Sequence, residues 1–292
     1  MGAAELRIGV VGGGWIAATH RETLHQAPGA RLVAVADPVP GCADYADWRT
    51  MLDHERLDAV LVCTPPLHHR EPAVGAARAG LAVYLEKPVA ASLDDAAAIS
   101  AAVGAAGVVC AVGYQYRVLP PPGGPPPRVL LGCGLSEPDP AAANRPWFGD
   151  SAQGGGQILE RASHLIDLQR ALAGEVVRVS GVEHGGIVSL TLAFSSGALG
   201  SVVTGGVAGG PGWSLELVGD GGTVTVVLDP DPPPLRTSLE RFLAAVRTGD
   251  PAAVACPLAE GVATLAVTLA CEQAVQSGAT VALGAGRPVR NP

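Results

Sequence analysis

The chain has 292 residues, 48% of them hydrophobic and 16% charged, with a formal net charge of −8. That is enough apolar material for one large domain or two ordinary ones, and an acidic balance without a basic cluster argues against nucleic acid or an anionic membrane as a partner. No leader with a charged start, an apolar stretch and a cleavage site is visible, no apolar run is long enough and free enough of glycine to read as a membrane span, and the six cysteines (Cys42, Cys63, Cys110, Cys133, Cys256, Cys271) are scattered without a C-x-x-C pair. They read as small buried residues of a reduced, cytoplasmic protein.

Leu6 to Val11 is an apolar run of strand length. It breaks into Gly12-Gly13-Gly14-Trp15-Ile16-Ala17, which fits G-x-G-x-x-G/A, and a helix-competent segment follows from Trp15 to about Ala27. Strand, glycine turn and helix are the context a dinucleotide fingerprint requires. The first glycine permits the tight turn, the second lets backbone approach a pyrophosphate, and the small third position lets the helix pack close on the strand. The phosphates then meet free N–H groups and the positive end of the helix dipole. Alone, the match also fits a purely structural glycine turn.

A second strand, Arg31 to Ala36, ends at Asp37. An acidic residue there can accept hydrogen bonds from the adenosine ribose hydroxyls and repel a 2′-phosphate. The chain continues Pro38-Val39-Pro40-Gly41 with no arginine close by, so NAD is favoured over NADP. Asp44 to Asp53 reads as a short helix, and Asp58 to Cys63 as a buried third strand stopped by Pro65 and Pro66. His69 to Gly80 reads as a helix closed by glycine, and Leu81 to Leu85 as a fourth strand running into Glu86-Lys87-Pro88. Ser92 is placed to cap a helix with Asp94 and Asp95 in its first turn, ending near Gly104. Gly107 to Val112 is a fifth strand, followed by Tyr114-Gln115-Tyr116-Arg117. Strands alternating with helices at this spacing predict a doubly wound parallel sheet over residues 1–118.

Leu119 to Pro127 is rich in proline and glycine and reads as a linker. Beyond it the pattern becomes strand-like: Arg128–Ser136, Glu175–His184, Ile187–Phe194, Ala198–Val207, Ser214–Val218 and Thr223–Leu228, with Gly185-Gly186 and Ser196-Gly197 as hairpin turns. Helical segments cover Gln157–Ala173, Thr237–Arg247 and Leu258–Gln276. Residues 119–292 therefore read as an α+β domain with a mixed, largely antiparallel open sheet. In Ile187–Phe194, Val188, Leu190 and Leu192 share one face and Ser189, Thr191 and Ala193 the other. One face suits packing on helices; the other is smooth enough for a two-fold contact between subunits.

Several motifs stand in a recognisable order: the fingerprint at Gly12–Ala17, CTPPLHH at Cys63–His69, EKP at Glu86–Pro88, GGGQILERASHLID at Gly154–Asp167, VGDGGT at Val218–Thr223 and RFLAAVRTGDP at Arg241–Pro251. In these the chain resembles the glucose–fructose oxidoreductase and inositol dehydrogenase (Gfo/Idh/MocA) family over nearly its whole length. The resemblance implies an NAD(P)-dependent oxidoreductase acting on sugars, inositols or related polyols. It implies Lys87 as the catalytic lysine with Glu86 and Pro88 beside it, and His164 as the histidine that exchanges a proton with the substrate hydroxyl. Thr64, Pro65, His69, Glu86 and Lys87 join Gly12, Gly13, Gly14, Trp15, Ile16 and Asp37 around the cofactor. Gln115, Tyr116, Arg117, Asn144, Arg145 and Trp147 fall where the family builds substrate contacts. Family members commonly associate through the second sheet, which implies a homodimer or homotetramer.

The chemistry of the side chains agrees. Hydride transfer between a carbinol and nicotinamide needs a proton acceptor near the hydroxyl, and histidine suits that near neutral pH. A lysine can polarise the same oxygen and stabilise a developing alkoxide. Glu160 and His164 are four residues apart and share a helix face, so the carboxylate can orient the imidazole or hold a substrate hydroxyl. Asp167 reads as structural, and His68-His69 alone is not a metal cluster, so no metal is expected. The family pattern departs at Glu160, where aspartate is usual, and the chain is trimmed at Pro38–Asp44 and after Arg117. The reaction expected is reversible hydride transfer at a secondary alcohol or ketone of a sugar, cyclitol or nucleotide-linked sugar. Rival readings are reduction of a non-carbohydrate C=N or C=C bond, NAD-dependent glycosidic cleavage, and a catalytically silent NAD-binding regulator.

Overall fold

A computed structural model describes residues 5–121, 123–138, 155–228 and 233–284, and these form two compact units. The first contains β1 (Leu6–Val11), α1 (Trp15–Gln26), β2 (Ala30–Ala36), α2 (Trp48–His54), β3 (Ala59–Val62), α3 (Arg70–Arg78), β4 (Ala82–Leu85), α4 (Leu93–Ala106) and β5 (Cys110–Val112). Its sheet has the order β2-β1-β3-β4-β5, and every pair is parallel. β3 (AVLV) and β4 (AVYL) are buried at every position, as strands sandwiched between helix layers must be, which is why they read as unbroken apolar runs. Residues 233–262 return to this unit. Here α6 (Pro233–Thr248) lays Leu239, Phe242 and Leu243 into the same core. Phe242 meets Tyr84 edge-on at 5.5 Å, and the Tyr84 hydroxyl lies 3.2 Å from Ser238 Oγ.

Two local expectations shift. The helix predicted from Asp44 starts at Trp48, because Asp44 and Tyr45 run alongside β2, both donating backbone N–H to Val35 O. Asp47 then caps α2 by accepting from Arg49 N–H at 3.0 Å. The fifth strand starts at Cys110 rather than Gly107, because α4 runs on to Ala106 and Gly107, at φ +64°, closes it. The Ser92 cap forms as expected, its hydroxyl accepting from Asp95 N–H.

The second unit contains β6 (Val129–Ser136), a π-helical turn (Gln157–Ala162), α5 (Ser163–Ala173), β7 (Val176–His184), β8 (Ile187–Phe194), β9 (Leu199–Gly206), β10 (Gly212–Gly219), β11 (Gly222–Val227) and β12 (Val281–Ala282). The sheet order is β11-β10-β6-β9-β8-β7-β12, antiparallel except for β6 with β9. Gly185 and Gly186 take φ +59° and +75°, the left-handed pair that a two-residue hairpin matched to the strand twist requires. Along β8, Val188, Leu190, Leu192 and Phe194 are buried while Ser189 and Thr191 are exposed. The last long helix, α7 (Leu258–Ser277), is long and apolar enough to cross a membrane by length and composition, although it carries Glu260, Gly261 and Glu272. Its Leu265, Ala270, Cys271 and Ala274 are buried in the fold. Within the second unit it is tied to α5: Thr264 Oγ1 donates to Asp167 Oδ1 at 2.7 Å, and Arg170 Nη1 donates to Thr264 Oγ1 at 2.9 Å.

Candidate active site

In the first unit β1 lies between β2 and β3, so the strand order reverses beside it, and ligands bind at the carboxyl ends of strands at such a point. Gly12 sits there at φ +103°, and a Cβ would lie 2.7 Å from both the carbonyl carbon and oxygen of Cys63. Only glycine fits, for reasons of both conformation and space. Ala17 is fully buried, which lets α1 approach the sheet. Gly14 caps α1 with no side-chain cap, and there is no acidic residue in the first turn, so the helix presents its N-terminal N–H groups to an incoming anion. A Cβ at Gly14 would meet nothing within 4 Å. Asp37 is pinned beside this turn: Oδ2 accepts from Gly13 N–H at 2.6 Å and Oδ1 from Val39 N–H at 2.8 Å. Thr64 Oγ1, at the end of β3, is buried without a hydrogen-bond partner among the described residues. An open helix start, a glycine cradle, a carboxylate at the second strand and an orphaned hydroxyl fit a dinucleotide. Trp15 and Ile16 follow on α1, with Trp15 69% exposed.

The loops after β3 and β4 are held by two buried histidines. His69 is fully buried, with Nε2 2.7 Å from Thr64 O and Nδ1 3.2 Å from Val89 O. Burial lowers its pKa against the pull of those carbonyls, so the ring stays neutral and donates to one of them. Its ring touches backbone, so its influence on a cofactor passes through the Thr64-Pro65 loop it braces. Glu86 is likewise buried, with Oε1 2.7 Å from His20 Nε2 on α1 and Oε2 accepting from Lys87 N–H at 3.1 Å. Burial pushes its carboxyl up, but the His20 hydrogen bond, the charges of His20 and Lys87 and the Lys87 N–H outweigh that and hold it below the ordinary carboxylate range. Gly113 makes room for the carboxylate, since a Cβ there would lie 2.9 Å from Oε1. Lys87 follows at the end of β4, half-buried. Gln115 to Val118 form a single 3₁₀ turn in which Tyr116 is buried. Arg117, expected at the substrate, donates from Nη2 to Glu260 Oε2 at 3.2 Å.

In the second unit Gly156, at φ +91°, opens the π-helical turn Gln157–Ala162, which runs directly into α5. Sequence spacing does not reveal this turn. Such turns cluster at functional sites because the extra residue re-aims the side chains they carry. This one carries Glu160, which is buried, and Arg161; His164 follows in the first turn of α5, half-buried and edge-on to Trp213 at 6.1 Å. Asn144, Arg145 and Trp147 lie outside the described residues, as does Gly154. Among the described residues, no group of three His, Cys, Asp or Glu side chains is close enough to hold a metal ion.

Residues 6–114 match the oxidoreductase family with an NAD-binding Rossmann fold, Gfo/Idh/MocA, and residues 131–225 match the Gfo/Idh/MocA C-terminal domain. The chain belongs to the Gfo/Idh/MocA family. It is 30% identical over 206 residues to the NAD(+)-dependent scyllo-inositol 2-dehydrogenase of Bacillus subtilis, a match covering 63% of this chain and 58% of that protein. The aligned part thus spans little more than half of that relative. The myo-inositol 2-dehydrogenase of Lactobacillus plantarum has the same fold, with TM-score 0.86 and 20% identity over 96% of this chain and 99% of its own. So does the WlbA dehydrogenase of Bordetella pertussis in complex with NADH and UDP-GlcNAcA, with TM-score 0.83 and 22% identity over 98% of this chain and 100% of its own. The family is one of NAD(P)-dependent dehydrogenases, and curated relatives include inositol 2-dehydrogenases and a levoglucosan dehydrogenase.

Proposed function

We propose that the protein transfers hydride reversibly between NAD and a secondary alcohol or ketone of a sugar, cyclitol or nucleotide-linked sugar. The observation that carries this is the joint presence, in a member of this family, of a glycine cradle fitting a dinucleotide, Lys87 at the end of β4, and the Glu160–His164 pair entering α5. Bound NAD supplies the hydride acceptor or donor. Gly12, Gly13 and Gly14 would leave room for its pyrophosphate at the N–H groups of α1, Asp37 would hold its adenosine ribose, and Thr64 and Pro65 would line the wall of the cleft. Asp37 favours NAD, since a 2′-phosphate would meet its carboxylate.

In this reading His164 takes the proton from the substrate hydroxyl on oxidation and returns it on reduction. Lys87 stabilises negative charge on the same oxygen. Glu160 orients the imidazole or a substrate hydroxyl. The test is single-turnover hydride transfer across a panel of cyclitols and sugars, with NAD(H) affinity measured in parallel. His164→Ala lowers the rate by roughly 100- to 10,000-fold and leaves NAD(H) affinity nearly intact. Full activity in His164→Ala removes histidine from the mechanism, and NAD(H) binding without turnover of any compound leaves a silent NAD-binding protein.

We further propose that the protein works in the cytoplasm as a homodimer or homotetramer joined through the second sheet. Supporting this, Ile187, Leu199 and Leu131 are 37%, 52% and 40% exposed on the face that β8, β9 and β6 share. Sedimentation as a monomer at micromolar concentration refutes the assembly.

A further inference from the structure

We propose that Trp213 is a positioning residue for hydride transfer: its indole, seated in a gap left by Gly134, sets the plane of the His164 imidazole and with it the ring nitrogen that meets the substrate hydroxyl. This rests on the reading above, in which His164 exchanges a proton with the substrate.

The backbone of His164 is held by the helix that carries it. Gly132 on β6 and Gly200 on β9 lie beneath α5. A Cβ at Gly132 would stand 2.9 Å from Gln169 Nε2 and 3.4 Å from Leu165 Cδ1, and one at Gly200 would collide with Gln169 Oε1. With those side chains missing, Gln169 is fully buried, and its Nε2 donates to Ser201 O at 2.8 Å, which ties α5 to β9. A docked helix fixes Cα and Cβ of His164 but leaves the ring its own rotation. The torsion that turns an imidazole is broad and roughly two-fold, so the plane of the ring is set by what packs against it. The two nitrogens play different parts in proton transfer, so the choice of plane has chemical consequences.

Trp213 packs there. It stands on β10 on the face that Leu215 and Leu217 bury. Its partner on β6 is Gly134, whose own partner on β9 is the fully buried Thr204. A Cβ at Gly134 would lie 3.3 Å from Cζ2 and Cη2 of the indole and 3.1 Å from Thr204 Cγ2. The missing side chain therefore lets the six-membered end of the indole lie across β6, fixed by a sheet and not by a loop. The indole meets the His164 ring at 6.1 Å between centroids and 86° between planes, the edge-to-face arrangement that ring quadrupoles favour. Arg161 Cζ lies 5.8 Å from the same indole, so a single substitution at Trp213 disturbs two neighbours and a double-mutant cycle with His164 is needed to separate them.

The experiment uses the full chain with NAD and, as probes, scyllo-inositol, myo-inositol, glucose and UDP-glucose, with kcat and KM read on the fastest. Trp213→Leu lowers kcat by roughly 10- to 100-fold, the cost of a misplaced catalytic group, and leaves KM and NAD(H) affinity near the parent values. Trp213→Phe, which keeps a ring of similar reach, retains more of the rate than Trp213→Leu. In the His164→Ala background Trp213→Leu costs nothing further, within about twofold. Gly134→Ala pushes on the indole from below and lowers kcat several-fold in the parent but not in His164→Ala; it carries the test should Trp213→Leu not fold. A parent-like kcat in Trp213→Leu, or the same loss with and without His164, overturns the inference while leaving hydride transfer standing. Full activity in His164→Ala, or bound NAD(H) with no turnover of any probe, sinks the reading of His164 and this inference with it.

Discussion

Replacing Glu86 by glutamine keeps the shape of the side chain and removes its charge, so the cost reports what the buried carboxylate does. Its two oxygens receive two donors, His20 Nε2 at 2.7 Å and Lys87 N–H at 3.1 Å. A primary amide has one oxygen, so one donor is left facing an NH₂ group. A buried donor without an acceptor costs about 1–3 kcal/mol, with bonds to charged groups at the upper end. Glu86→Ala strips both acceptors and leaves a fully buried His20, whose Nδ1 already has no hydrogen-bond partner among the described residues, with none at Nε2 either. Breaking a buried pair in this way costs about 3–5 kcal/mol. The pH dependence has a definite sign. The folded pKa of Glu86 is below the ordinary value, so its stabilisation is complete above the unfolded carboxylate pKa and is lost as pH falls through the folded one. The gap between parent and Glu86→Gln in urea unfolding should therefore be widest near pH 7 and shrink below about pH 4. A Glu86→Gln protein within about 0.5 kcal/mol of the parent near pH 7, or a gap that ignores pH, refutes the reasoning.

Gly12→Ala should cost roughly 1–3 kcal/mol from the left-handed backbone alone, and more from the contact with Cys63; a calorimetric midpoint equal to the parent's contradicts this. Asp37→Ala should narrow a preference of at least roughly tenfold for NAD(H) over NADP(H), read by titrating tryptophan fluorescence; equal affinities in the parent dismiss the role given to Asp37. Burial pushes the Glu272 carboxyl up to about 7, so its charged form strains the fold as pH rises from the unfolded carboxylate value through 7. Glu272→Gln should then stabilise the protein by about 1–2 kcal/mol at mildly alkaline pH, allowing for its partial exposure, and by nothing near pH 4; equal gains at both ends would show that charge is not the cause. Glu160→Asp, which restores the family's usual residue, should lower activity if glutamate is matched to this substrate; a faster variant in the same hydride-transfer assay would count against that match.

The first sheet was legible because its strands carry a local signal. AVLV and AVYL are apolar at every position, which only a doubly covered strand tolerates, and the glycine turn after β1 declares both its conformation and its ligand. The return of α6 to that sheet was not legible. Leu239, Phe242 and Leu243 mark a helix with an apolar face, but nothing local says that Tyr84, more than 150 residues earlier, is the partner. The parallel pairing of β6 with β9 is hidden for the same reason, since consecutive apolar runs advertise hairpins and not crossovers. The π-helical turn escapes because one extra residue per turn leaves the i, i+4 relation of Glu160 and His164 readable as ordinary helix.

The site residues divide along a line that motif spacing alone does not draw. Gly14, Thr64 and Lys87 are partly or fully open at the ends of their elements, whereas Glu86 and His69 are buried beneath them. Their partners explain why. Glu86 joins His20 on α1, the helix offered to the pyrophosphate, to the backbone N–H of Lys87, and His69 joins the Thr64 carbonyl to Val89 beyond Pro88. The two clamps thus couple the ends of β3 and β4 to each other and to the middle of α1. An ionised, desolvated carboxylate is a stiff connector because every displacement loses a charge-assisted hydrogen bond with no water to replace it. In the hydride-transfer reading proposed above, precision in placing Lys87 therefore has to come from below the site, where the sequence shows only a glutamate beside a lysine, and a misplacement of about 1 Å there would cost roughly 100-fold in rate.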